Sequence, residues 1–98
     1  MLLQRRPVDA VICSNDVMAI GVRDAAERLL RLNVPKDLAI VGHDGISMGA
    51  WECHSITTLA FDRVAYFDAI VGIIERENEV RGNNETVMPC HVRWRSST

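Results

Sequence analysis

Two short polar clusters carry the side chains of most chemical use in this 98-residue chain: Cys13-Ser14-Asn15-Asp16 and His43-Asp44. A carboxamide offers both donors and an acceptor, and an ionised carboxylate accepts from two hydroxyls, so Asn15 and Asp44 together suit a small, hydroxyl-rich molecule. His43 reads as a wall of such a site. The same residues could form a nucleophilic set, with Cys13 attacking, His43 as base and Asp44 orienting it. Against that, Cys13 lies inside an apolar run, where its thiolate is disfavoured, and neighbouring residues on a strand point to opposite faces, so the side chains of His43 and Asp44 are expected to diverge. A metal reading would use Cys53-His54 and Cys90-His91, but adjacent residues do not ligate one ion easily. The expectation is no catalysis, no metal and no cofactor.

The elements that must position these residues form a β-α-β unit. The runs at 10–13 and 38–41 are short and rich in β-branched residues, and both stop abruptly at polar ones, as strands buried on both faces of a parallel sheet do. A crossover helix makes the two strands parallel. Their carboxyl ends then share one rim, where open α/β sheets bind ligands, and Asn15 and Asp44 fall on it. Ser14, Asn15 and Asp16 are all good N-caps for the helix between the strands. Its apolar stripe is read as Met18, Val22, Ala25, Leu29 and Leu32, and Asn33-Val34-Pro35 ends it.

Beyond this unit, residues 46–55 have no clean period and read as a loop with one short helical turn. Trp51 on that loop could stack on a sugar ring, although packing is the commoner use of such a residue. A third strand is expected at 56–60. Asp62 then caps a second helix to about Val80, whose apolar residues cover more than one face and so require partners on two sides. The run from Met88 to Trp94 alternates as a strand with one wet face, entered at Pro89. Residues 2–6 read as the last turn of a helix, and 81–84 as a C-cap and turn.

Composition narrows the classes. Hydrophobic residues make up 48% of the chain, which suits a globular domain rather than a disordered one. A net charge of −2 supplies no general basic field for phosphates, which argues against nucleic-acid binding by this chain itself. The three cysteines show no CxxC spacing and no disulfide framework, so a reducing cytoplasm is expected. No signal peptide or membrane-length apolar run is legible, and no membrane partner is expected.

Four segments, in order and covering nearly the whole chain, carry a family resemblance. These are Cys13-Ser14-Asn15-Asp16-Val17-Met18-Ala19-Ile20-Gly21, Val34-Pro35-Lys36-Asp37-Leu38-Ala39-Ile40-Val41-Gly42-His43-Asp44, Thr57-Thr58-Leu59, and Arg93-Trp94-Arg95-Ser96-Ser97-Thr98. Together they resemble the C-terminal part of LacI/GalR-type bacterial transcriptional regulators. The resemblance implies the periplasmic-binding-protein-like fold: two α/β lobes closing on a small effector, often a sugar or nucleobase, preceded by a helix-turn-helix that reads DNA. On it, Asn15 and Asp44 are similar to effector-contacting positions, and Ile20 belongs to the family's dimer face. The sequence departs from the family at His43, where an aromatic is common, at Gly45, where Asp or Asn is, and at Phe61, where Gln is.

The resulting expectation is a three-layer α/β, parallel-sheet lobe fragment spanning 1–98, the effector-binding and dimerisation part of such a regulator. The helix-turn-helix and N-terminal lobe would be absent, so DNA is a partner only through a segment this chain does not carry. The site is expected at Asn15, Asp44, His43 and Trp51, with a sugar-like effector as partner and self-association through Ile20. Because the resemblance implies that the second helix leans on the missing lobe, its faces should also drive self-association. The competing class is one lobe of a periplasmic solute-binding protein of an ABC-type transporter.

Overall fold

A computed structural model describes residues 8–76 and 85–98. The expected turns at 2–6 and 81–84, and the far end of the second helix at Val80, lie outside the described residues. The chain divides into two compact units, one made of residues 1–60 with 92–98 and the other of residues 61–91.

The first unit is built on the β-α-β motif. Strand β1 (Ala10–Ile12), helix α1 (Asp16–Arg28), strand β2 (Ala39–Asp44), a 3-10 turn (Ser47–Ala50) and strand β3 (Thr57–Phe61) follow in order, and β4 (Cys90–Arg93) completes a sheet of order β1-β2-β3-β4. Parallel pairing holds for β1 with β2, register Ile12 to Val41, and for β2 with β3, register Val41 to Thr57.

The core lies between α1 and the sheet. Cys13, Ala19, Ala26, Leu38, Ile40 and Ile56 form it, with Val8, Val11, Ile20, Val22, Leu32 and Val34 packed around. This corrects two expectations. Strand β1 is not buried on both faces: Val11 faces the core, but Ile12 is 78% exposed. The helix stripe also differs, since Met18 and Leu29 face outward while Asp16, Ala19 and Ala26 are buried. The short side chains of Ala19 and Ala26 let α1 approach the sheet, with Ile20 and Val22 at the margin of the core and Val17, Met18 and Leu29 left outside. The helix stops at Arg28 rather than at Asn33, its last turn closed by Leu29 N–H on the Ala25 carbonyl.

Two local devices hold the connections. Between α1 and β2, the Asp37 carboxylate accepts from the Asn33 backbone N–H at 2.7 Å and its side-chain amide at 3.0 Å. Those bonds hold the Asp37 carboxyl below its ordinary range, so their contribution is present above that range and lost as pH falls through the lowered value. At the amino ends of β2 and β3 the buried Ser97 is stitched in. Its Oγ donates to the Ile40 carbonyl and accepts from Thr57 N–H at 2.8 Å, and its own carbonyl accepts from Ile40 N–H at 2.8 Å.

In the second unit, Asp62 caps helix α2 (Arg63–Glu75), accepting from Ala65 N–H at 3.1 Å. The cap was legible in sequence. Val64, Phe67, Val71 and Ile74 are exposed on α2, and no residue of that helix is fully buried. The expected wet-and-dry alternation of the last strand is also corrected: all four residues of β4 are exposed, and Trp94 beyond it is 76% exposed.

Two outcomes follow from this packing. Ser97→Ala would leave the buried Thr57 N–H without its acceptor and should cost about 1–3 kcal/mol of stability in urea unfolding. Burial raises the Cys13 thiol above its usual pKa, whereas Cys53 and Cys90 are exposed. Iodoacetamide at pH 8 should therefore label Cys53 and Cys90 first and reach Cys13 only on unfolding, as peptide mass mapping would read.

Candidate functional site

The carboxyl-end rim of β1 and β2 gathers the residues singled out by type. Asn15 and Asp44 each stand three residues beyond a paired position, Ile12 and Val41, so the parallel register carries both to the same end of the sheet. Asn15 is the N-cap of α1: its Oδ1 accepts from Met18 N–H at 2.8 Å. Capping uses the oxygen and leaves the amide nitrogen as the group able to donate to a guest.

Asp44 ends β2 with φ 108°, and Gly45 follows at φ 72°. Positive φ costs a residue with a Cβ free energy, and here it has a visible result. The backbone rotates so that Asp44 Oδ1 meets His43 Nδ1 at 2.9 Å. The expected divergence of these two side chains is thereby corrected: strand alternation fails because the strand ends in left-handed backbone. With Asp44 ionised, Nδ1 donates to Oδ1, leaving Oδ2 to accept from a ligand hydroxyl. Both side chains are about two-fifths exposed, enough for contact and enough for water to screen the pair.

Beneath this rim lies a residue that the sequence reading treated only as a possible cap. Asp16 is completely buried. Its Oδ1 accepts from Thr58 Oγ at 2.6 Å and its Oδ2 from Ile46 N–H at 2.9 Å, which ties α1 to β3 and to the loop leaving Asp44. Gly42 makes room for it, since a Cβ there would collide with Asp16 Oδ1, and Gly49 lies over the other oxygen. The available sequence signal was an acidic residue at the first helical position, facing a run that carries a glycine amid β-branched residues.

The remaining candidates sit elsewhere in this unit. Trp51 is exposed and stacks on His54, ring centroids 5.8 Å apart and planes 14° from parallel. Ile20 lines a groove of about 370 Å³ with Gly21, Arg23, Asp24, Cys53 and His54. Arg23 braces that groove by donating from Nη1 to the His54 carbonyl at 2.8 Å and to Ser96 Oγ at 3.2 Å. Structure thus unites His43 with Asp44, sets Asn15 on the same rim by register, and puts Trp51 beside His54, which shares the groove with Ile20. Cys13, the nucleophile of the enzymatic alternative, is held in the core with Leu38 and Ile40. Among the described residues, no group of three or more His, Cys, Asp or Glu is placed to hold a metal ion, and no helix is long and apolar enough to cross a membrane.

Comparison with known proteins identifies the architecture. The model of the periplasmic binding protein-like domain matches residues 1–98. The HTH-type transcriptional repressor CytR of Escherichia coli is 33% identical over 95 residues, covering 95% of this chain and 28% of the repressor. The PurR repressor of Proteus mirabilis is 42% identical over 59 residues, 60% of this chain and 17% of that protein. Among solved structures, a LacI family transcriptional regulator from Arthrobacter in complex with lactose superposes with TM-score 0.78 at 27% identity, over 99% of this chain and 38% of that one. The chain spans under a third of the curated repressors' length. With its parallel rim, its order of segments and its match from end to end, the chain belongs to the periplasmic binding protein-like domain family, in the form found in the sensor region of LacI-type regulators.

Proposed function

We propose that this chain is the effector-sensing and dimerisation portion of a LacI/GalR-type bacterial transcriptional regulator, acting in the cytoplasm and doing no chemistry. The observation that carries the proposal is the shared rim, where a capped carboxamide at Asn15 and the His43–Asp44 pair stand at one end of two parallel strands. Amide donors beside a carboxylate acceptor suit a sugar-like effector, and the lactose complex of the Arthrobacter regulator supports that class. In a whole regulator, binding would shift the balance between two lobe arrangements, and thereby DNA affinity, only to the extent that the effector prefers one arrangement. DNA is reached through a helix-turn-helix outside residues 1–98, which form part of one effector-binding domain. Repressor names among the relatives favour this reading over a lobe of a transporter's solute-binding protein.

Self-association belongs to the same proposal. Ile20 on α1 opens into a groove edged by charges of both signs, Arg23, Asp24, Glu27 and Arg28, and such a mixture suits contact with a second copy under twofold symmetry. For Trp51, the stack on His54 favours packing at this face over stacking on an effector. The exposed apolar residues of α2 add a second adhesive surface.

Three measurements test the proposal. In saturation-transfer NMR with millimolar lactose and D-ribose, the chain should give weak signals. Asn15→Ala and Asp44→Asn should each weaken binding roughly tenfold or more, the scale of a lost hydrogen bond to a charged or buried partner; unchanged signals in both variants would sink the site assignment. In sedimentation at tens of micromolar, the chain should run as more than a monomer, and Ile20→Asp should shift it toward one. Operator DNA should not be retarded by the chain in electrophoresis.

A further inference from the structure

We propose that Asp16 is the positioning residue of the effector rim, a buried carboxylate that holds the left-handed turn at Asp44 and Gly45 in place. The inference rests on the reading of Asn15 and Asp44 as effector contacts and goes beyond it by naming what aligns them. Asp16 follows Asn15 in the chain, so fixing its side chain fixes the start of α1. It also gathers both backbone amides that follow Asp44. Ile46 N–H donates directly to Oδ2 at 2.9 Å, while Gly45 N–H donates at 3.3 Å to Thr58 Oγ, whose own hydroxyl donates to Asp16 Oδ1 at 2.6 Å.

The two oxygens of one carboxylate therefore govern the two loops that present the rim. Asp44 at φ 108° and Gly45 at φ 72° occupy backbone that persists only where surrounding bonds enforce it, and these are the bonds that surround it. Without them Asp44 would relax toward ordinary strand geometry and the His43–Asp44 contact would open. A neutral amide keeps one acceptor oxygen where Asp16 uses two, so an asparagine would have to reverse the Thr58 bond and turn that hydroxyl toward the Leu59 carbonyl at 3.4 Å, with weaker bonds to both loops. Asp16 touches no effector and acts through the loops it holds.

The test compares Asp16→Asn and Thr58→Val with Ser97→Ala, a buried control that bonds Thr57 and Ile40 and no residue of the Asp44–Ile46 turn. Amide hydrogen exchange on the full chain is the first readout. In both rim variants, Gly45 and Ile46 should exchange at least tenfold faster than any change at Cys13 and Ala39, whose amides bond to Val41 and Asp9 carbonyls. In Ser97→Ala, the rim and the ladder should accelerate together. Rim amides that move no more than the ladder in Asp16→Asn would reduce Asp16 to a general packing role and overturn the proposal.

Saturation transfer from D-ribose and lactose is the second readout. Asp16→Asn, still folded by its amide spectrum, should lose about tenfold in binding, and Ser97→Ala should retain it; equal binding in Asp16→Asn and the parent chain would also overturn the proposal. If instead Asn15→Ala and Asp44→Asn leave binding untouched, the effector reading fails, and the exchange measurement alone decides whether Asp16 holds the turn.

Discussion

The fully buried side chain of Asp16, held by two hydrogen bonds, is the constraint on which the first unit depends. Taking a carboxylate charge out of solvent costs several kcal/mol. The two short bonds that Asp16 accepts return on the order of 1.5–3 kcal/mol each. The balance is close to even, so stability alone does not account for an acid at this place. What it supplies is registry. Helix α1, strand β3 and the loop after β2 have no covalent reason to meet at one point, and a group with two acceptors and a fixed bite makes them meet. The surroundings are shaped to it: Gly42 and Gly49 leave the volume that the carboxylate occupies, and an alanine at Gly42 would displace it.

That constraint also explains where sequence reasoning succeeded and where it did not. The β-α-β order, the parallel strands and the common rim were legible, because apolar runs cut short by polar residues are a property of the chain and the crossover rule supplies the rest. The buried face of α1 was not. A stripe drawn through Met18 and Leu29 counts large apolar residues, whereas a helix pressed close to a sheet selects small ones, here Ala19 and Ala26, and admits Asp16 only because Thr58 and Ile46 meet it. Nothing in local pattern announces a bond between residues forty-two positions apart. Likewise, the convergence of His43 and Asp44 depends on a backbone angle at Asp44 that its residue type does not specify. The rim was therefore readable as a place, while its internal geometry depended on tertiary bonds.

The same distinction separates the two helices. For α1, partners lie within the unit, and its large exposed side chains are few. For α2, the apolar side chains Val64, Phe67, Val71 and Ile74 remain exposed. Its sequence correctly announced a helix with more hydrophobic surface than one face can use. Each such side chain gains about 1.5–3 kcal/mol on full burial, a large fraction of a small domain's net stability. A surface of that kind is a demand for a partner, which is why association belongs to the proposed function as much as effector contact does.

Two different ties hold the sheet of the first unit, and they reach β3 at the successive residues Thr57 and Thr58. At the amino ends of β2 and β3, Ser97 replaces a missing stretch of ladder with side-chain and backbone bonds, and Arg95 adds a bond from Nη1 to the Ile56 carbonyl at 2.8 Å. The second tie is Asp16, which takes the hydroxyl of the next β3 residue, Thr58, and the Ile46 amide beyond β2. The first is a seam of hydroxyl, guanidinium and backbone groups that bonds no residue of the Asp44–Ile46 turn. The second ends in the turn of positive φ at Asp44 and Gly45. Under the proposed function, a turn of positive φ held by buried hydrogen bonds gives a rim that arrives already shaped, so that binding need not supply the ordering cost. An effector meeting such a rim would spend its contact energy on choosing between lobe arrangements rather than on building the site, and that difference is what a sensor has to transmit.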